Sequence, residues 1–65
     1  MIVDNYALAI KQLREKLMLS QQEFAQVLGV SFASINRWEN GVHEPTLKTK
    51  RKLRSLFNEY GLKNN

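Results

Sequence analysis

Cysteine is absent from this chain, so neither a disulfide nor a thiolate metal site can staple the fold. Histidine occurs once, at His43, which excludes paired-histidine zinc motifs such as HExxH. No metal or other cofactor is therefore expected. The chain offers no nucleophile–base constellation and no phosphate-cradling glycine loop, so no catalytic residue and no enzyme activity is expected. No apolar run approaches the roughly 18 residues of a membrane span. The start, MIVDNYALAIKQ, carries an acid early and lacks a charged region ahead of an apolar run, unlike a secretory signal. A cytoplasmic location is the expectation. Acidic residues are scarce, six against ten Lys and Arg, for a net charge of +4. That balance suits a polyanionic partner, nucleic acid or an anionic membrane surface, without choosing between them.

Proline occurs once, at Pro45, and glycine three times, at Gly29, Gly41 and Gly61. All four fall at the borders of segments with helical apolar spacing, which points to an all-α fold. Residues 1–65 read as a single domain. A chain this short buries only about 60% of its unfolded surface, so helix packing around a small core must do the stabilising.

Tyr6, Ile10, Leu13 and Leu17 recur at spacings of four, three and four, one face of a first helix. Asp4 or Asn5 can cap it. Ser20 and Glu23 form an S-x-x-E capping box that opens a second helix. Phe24, Ala25 and Leu28 mark its buried face, Gly29 stops it in a left-handed conformation, and Val30 plugs the turn. Ser31 caps a third helix over Phe32 to Asn40, anchored by Ile35 and Trp38 and halted at Asn40-Gly41. Pro45 disfavours helix at Glu44, and Thr46 caps a fourth helix from Leu47 to Tyr60, with a break near its beginning left open. Leu53, Leu56, Phe57 and Tyr60 make its apolar stripe and Gly61 its stop. The expected architecture is compact and all-α, with four to five helices.

Ser20 to Gly41 is the informative segment. Counting from Gln21 as position one, apolar residues stand at four, eight, ten, fifteen and eighteen: Phe24, Leu28, Val30, Ile35 and Trp38. Position five is Ala25, small where two helices meet closely, and position nine is Gly29, where the backbone turns. This is the pattern of two helices clamped around a tight turn, with the second displayed on a rigid support. An exposed, rigidly held helix fits the major groove of DNA.

QQEFAQVLGVSFASINRWENG, followed by EPT, resembles the helix-turn-helix of the Cro/phage-repressor-like superfamily, also called the XRE family of regulators. The resemblance runs from about Ile10 to Leu56. It rests on Ile-x-x-Leu-Arg, the Leu-Ser-Gln-x-Glu entry, the Ala-x-x-x-Gly turn, the Trp-Glu-Asn-Gly exit and the following Pro-Thr. It implies a lambda-repressor-like domain binding double-stranded DNA, with the third helix as the recognition helix. Phe32, Ala33 and Arg37 match base-reading places, with Asn36 beside them. Gln21, Ser31 and Asn40 match places that touch phosphate. The resemblance also implies an ion pair between Arg14 and Glu39. Phe32 and Ala33 depart from the glutamines many members carry there and can offer only apolar contact, as to a thymine methyl.

Arg37 can donate two hydrogen bonds to guanine O6 and N7, and Asn36 can pair with adenine if its side faces the groove. Phe32 either enters the groove or folds back on the domain. Trp38 reads as core. Lys48, Lys50, Arg51, Lys52 and Arg54 hold half of the chain's basic residues with no acid between them. They form either a solvated helix face or a phosphate-contacting one, with Lys48, Lys50 and Arg51 as its contacts. No membrane partner is expected. The reading is a sequence-specific regulator acting by occupancy, a repressor of bacterial or phage type. An operator of two half-sites about 34 Å apart would call for a homodimer. Two rivals remain: a protein-interaction or antitoxin module on the same fold, and the DNA-targeting domain of a larger modification enzyme.

Overall fold

A computed structural model of the chain describes residues 5–60. These residues form four α-helices and no strand: α1 Tyr6–Lys16, α2 Gln21–Leu28, α3 Phe32–Glu39 and α4 Leu47–Glu59. Each helix begins at a side-chain cap. Asn5, Ser20, Ser31 and Thr46 accept hydrogen bonds from the backbone N–H groups of Leu8, Glu23, Ser34 and Thr49. Such caps satisfy donors that the helix itself leaves open. At α2 the box closes both ways, because the Glu23 carboxylate accepts from the Ser20 N–H at 2.8 Å. That bond, chiefly, holds the Glu23 carboxyl below its ordinary pKa. The alternative cap Asp4 and the expected stop Gly61 lie outside the described residues. α4 runs unbroken, and α3 stops at Glu39 with Asn40 as its C-cap.

The first three helices end alike. The Leu19, Val30 and Val42 N–H groups donate to the Arg14, Ala25 and Arg37 carbonyls, at 3.1, 2.9 and 2.9 Å. Met18, Gly29 and Gly41 donate to Glu15, Gln26 and Trp38. This paired pattern is the Schellman motif, which needs a left-handed residue just past the helix. Gly29 (φ 71°) and Gly41 (φ 75°) supply it without a Cβ penalty, whereas α1 uses Met18 at φ 58°. A side chain in that conformation costs roughly 1–2 kcal/mol.

The core gathers one face of every helix. Ile10 and Leu13 come from α1, Phe24, Ala25 and Leu28 from α2, Ile35 and Trp38 from α3, and Leu53 and Phe57 from α4. Tyr6, Leu17, Val30 and Leu56 pack against it half-buried. Tyr60 is a correction to the expected stripe, being 38% exposed. It is the C-cap of α4, past the last helical residue, so the helical period no longer brings its ring to the core. α3 packs against both α1 and α2, so the displayed helix is braced on two sides.

Candidate nucleic-acid interface

The orientation of α3 follows from its two anchors. Ile35 and Trp38 are buried, and a helix turns about 100° per residue. Ala33, Arg37 and Asn40 therefore lie on the opposite side, and all three are exposed. Asn36 and Phe32 occupy the flank between, Asn36 half-buried and Phe32 47% exposed. Ser31 is committed to the start of the helix, its Oγ accepting from the Ser34 N–H at 3.1 Å and lying 3.0 Å from Ser34 Oγ.

Behind this edge runs a continuous polar chain. Arg14 Nε donates to Glu39 Oε2 at 2.7 Å and Arg14 Nη2 to Glu39 Oε1 at 3.1 Å. Arg14 Nη1 donates to the Leu19 carbonyl at 3.0 Å, tying the α1–α2 turn to the same guanidinium. The pair is largely covered, with side-chain exposures of 16% for Arg14 and 5% for Glu39. Its hydrogen bonds to Glu39 push the Arg14 pKa above the ordinary arginine value, against the opposing effect of burial. Gln21 Nε2 donates to Glu39 Oε1 at 3.0 Å. Gln21 Oε1 accepts from Asn36 Nδ2 at 3.4 Å, and Asn36 Oδ1 accepts from Asn40 Nδ2 at 3.1 Å. The chain thus crosses from α1 through the end of α3 and the start of α2 to the exposed edge of α3. It holds α3 at a defined angle and leaves no buried side-chain donor or acceptor unpaired among the described residues.

Four of the five basic residues of α4 divide into three roles. Lys48 and Arg51 are exposed and have no ion-pair partner among the described residues. Lys50 Nζ lies 2.8 Å from Glu44 Oε1 and 4.9 Å from the centre of the Tyr6 ring. The bond to Glu44 raises the Lys50 pKa, with burial opposing it. Lys52 Nζ donates to the Leu28 carbonyl at 3.2 Å, capping the C-terminal end of α2 at the turn itself. No acid stands in the first turn of α4. Cations at a helix N-terminus oppose the macrodipole, a local cost typical of a surface shaped for an anion.

A tight turn between a capped α2 and a braced, displayed α3 is the geometry of a helix-turn-helix, and the helix-turn-helix family profile matches residues 10–62. The chain belongs to the XRE-type helix-turn-helix family. Domains of this family are DNA-binding helix-turn-helix domains. A further similarity is to the Type II methyltransferase M.SsoII of Shigella sonnei, 46% identical over 48 residues. The match covers 69% of this chain and 13% of that enzyme, so the chain spans only a small part of its relative's length. No solved structure matches.

Two contacts of this helix-turn-helix protein escaped sequence reasoning. Lys52 looked like one more member of a basic run, yet it fastens α4 to the α2–α3 turn. For Gln21 the resemblance implies only a phosphate-touching place, yet its amide bonds to Glu39 and Asn36. Both link residues at least 15 positions apart, beyond the reach of helical periodicity. The described residues contain no cluster of metal-ligating side chains and no helix long and apolar enough to cross a membrane.

Proposed function

We propose that this chain binds double-stranded DNA sequence-specifically, reads the major groove with α3, and acts as a repressor by occupying an operator. The observation that carries the reading is the exposed Ala33–Arg37–Asn40 edge on a helix braced by two neighbours and a covered ion pair. Arg37 reads guanine through O6 and N7, a pairing that discriminates by about 1–3 kcal/mol. Ala33 and Phe32 offer apolar contact, which suits thymine methyl groups, and Asn36 contributes an amide. Ser31, Asn40 and the N-terminal end of α2 at Gln21 meet phosphate, where helix dipole and free N–H groups favour an anion. Lys48 and Arg51 add flanking phosphate contacts, and Lys50 joins them only by leaving Glu44. On an operator of two half-sites about 34 Å apart, two copies bind as a homodimer.

Selection of bound sites from a random duplex pool tests this reading. The protein should enrich a defined sequence containing guanine, and Arg37→Ala should lose preference at that base while keeping most nonspecific binding. Enrichment of no sequence, or an unchanged preference in Arg37→Ala, would contradict it.

A second reading draws on the similarity to a Type II methyltransferase. Here the same surface serves as the DNA-targeting part of a longer modification enzyme. The two readings share the interface and differ in what is attached to it. The coding sequence on either side of this segment decides between them: an adjoining methyltransferase region in frame supports the second.

A further inference from the structure

We propose that the first turn of α3 reads the C5 methyl of a pyrimidine without reading its C4 group, so that 5-methylcytosine in duplex DNA serves this chain as thymine does. This rests on the reading of α3 as the groove-facing helix.

Phe32 and Ala33 are the first two residues of α3, and both are exposed. Phe32 is a large apolar side chain, 47% exposed, that stands outside the hydrophobic core. It is displayed at the start of the helix, where a ring left in water gains from burial against an apolar group. The hydroxyls of the same turn, on Ser31 and Ser34, are bonded to one another at 3.0 Å within the cap. Ala33 lies one turn before Arg37 on the same side of the helix. An apolar contact and the guanidinium of Arg37 thus share one edge.

Thymine and cytosine differ at two places in the major groove. At C4 thymine carries an acceptor oxygen and cytosine a donor amine, and at C5 thymine carries a methyl where cytosine has a hydrogen. A polar side chain senses the C4 group. The side chains of Phe32 and Ala33 neither donate nor accept a hydrogen bond, so they respond only to the apolar area at C5. 5-Methylcytosine keeps the amine of cytosine and carries the methyl of thymine. To this turn the two methylated bases are alike, and cytosine and uracil are alike in lacking the group. Arg37 sets the register. Four residues of helix rise about 6 Å and base pairs are spaced about 3.4 Å, so the methyl lies within about two base pairs of the guanine that Arg37 reads. Methylation of a cytosine at that place therefore strengthens binding, and loss of the mark weakens it.

The test uses four duplexes built on a sequence that the unaltered protein selects. They differ at one base pair, and each base pair within two of the Arg37-dependent guanine is taken in turn. Thymine or uracil stands opposite adenine, and 5-methylcytosine or cytosine opposite guanine. Within each pair of duplexes only a methyl changes, so the partner purine cancels. Competition followed by fluorescence anisotropy should show about fourfold tighter binding with the methyl in both pairs, the size expected for burying one methyl. The effect should be confined to one or two adjacent positions. The double variant Phe32→Ser with Ala33→Ser should bring both ratios below about 1.5-fold and keep the guanine preference. A preference for thymine over uracil without one for 5-methylcytosine over cytosine overturns the proposal, because the C4 group is then being read. So does the absence of any methyl effect at every position tried, and so does a methyl effect that survives in the double variant. In each of these cases the DNA-reading assignment stands if the guanine preference still depends on Arg37. It fails together with the proposal if the unaltered protein selects no sequence. Neither residue belongs to the core, so the double variant should keep its fold, which a circular dichroism melt checks. The comparison of the four duplexes with the unaltered protein needs no variant at all.

Discussion

Removing Glu39 should be the most damaging polar substitution in the domain. Glu39→Met leaves the Arg14 guanidinium mostly covered, with only the Leu19 carbonyl for a partner. Breaking a buried pair from one side costs about 3–5 kcal/mol. Arg14 retains 16% exposure, through which water can reach it, so the lower end of that range, about 3 kcal/mol, applies. For a domain of this size each kcal/mol moves the melting temperature by about 4–8 °C, giving a drop of about 12–24 °C. At about 0.05–0.15 kcal/mol per residue, the whole domain has only about 3–10 kcal/mol to lose. Arg14→Met with Glu39→Met removes both charges and refills the space with apolar volume. That double variant should be far less damaged than the sum of the single changes, with a coupling of about 2 kcal/mol or more. Urea titration followed by far-ultraviolet circular dichroism measures all four corners of the cycle. If Glu39→Met costs under about 1 kcal/mol and the coupling is below about 0.5 kcal/mol, the pair behaves like an exposed one and the bracing argument fails.

Three other substitutions probe the frame. Met18→Gly should stabilise the domain by about 0.5–1 kcal/mol, since it relieves a left-handed side chain that is 89% exposed and packs on little; a lower urea midpoint would contradict this. Leu53→Ala should cost about 2–5 kcal/mol, because its side chain is fully buried among all four helices' core residues, and thermal unfolding reads the loss directly. Glu23→Gln keeps the capping hydrogen bonds but removes their titration. The Glu23 pKa is lowered in the fold, so its charge contributes stability that is present above the ordinary glutamate value of about 4.3 and lost as pH falls through the lowered one. The stability gap between the unaltered protein and Glu23→Gln should therefore narrow below about pH 4, and a gap that stays constant across pH 3–7 would deny the shift.

Most of the frame was legible because its signals are local. Ser20 with Glu23, Ser31, Thr46, Gly29 and the Asn40-Gly41 stop each act within one helical turn, and the structure uses them at those places. Spacing alone also picked out Ile10, Leu13, Phe24, Leu28, Ile35, Trp38, Leu53 and Phe57 as core. Tyr60 shows where periodicity misleads, since it continues a stripe one residue past the helix that carries it. The end of α1 was illegible for the opposite reason: Met18 takes a glycine's conformation with no sequence mark of it. The polar chain from Arg14 to Asn40 belongs to neither kind of signal. Its first link spans 25 residues, and family resemblance suggested only that one. The Gln21 and Asn36 links depend on where the start of α2 meets the flank of α3, a tertiary fact no window of sequence contains.

The central claim is that the exposed edge of α3, led by Arg37, lies in the major groove. Methylation interference measures this directly, because dimethyl sulfate marks guanine at N7, on the major-groove edge that Arg37 is argued to contact. On a duplex selected by the unaltered protein, methylation of at least one guanine should block binding, and the same mark should cease to matter for Arg37→Ala. Binding indifferent to guanine N7 methylation throughout the selected site would contradict the account.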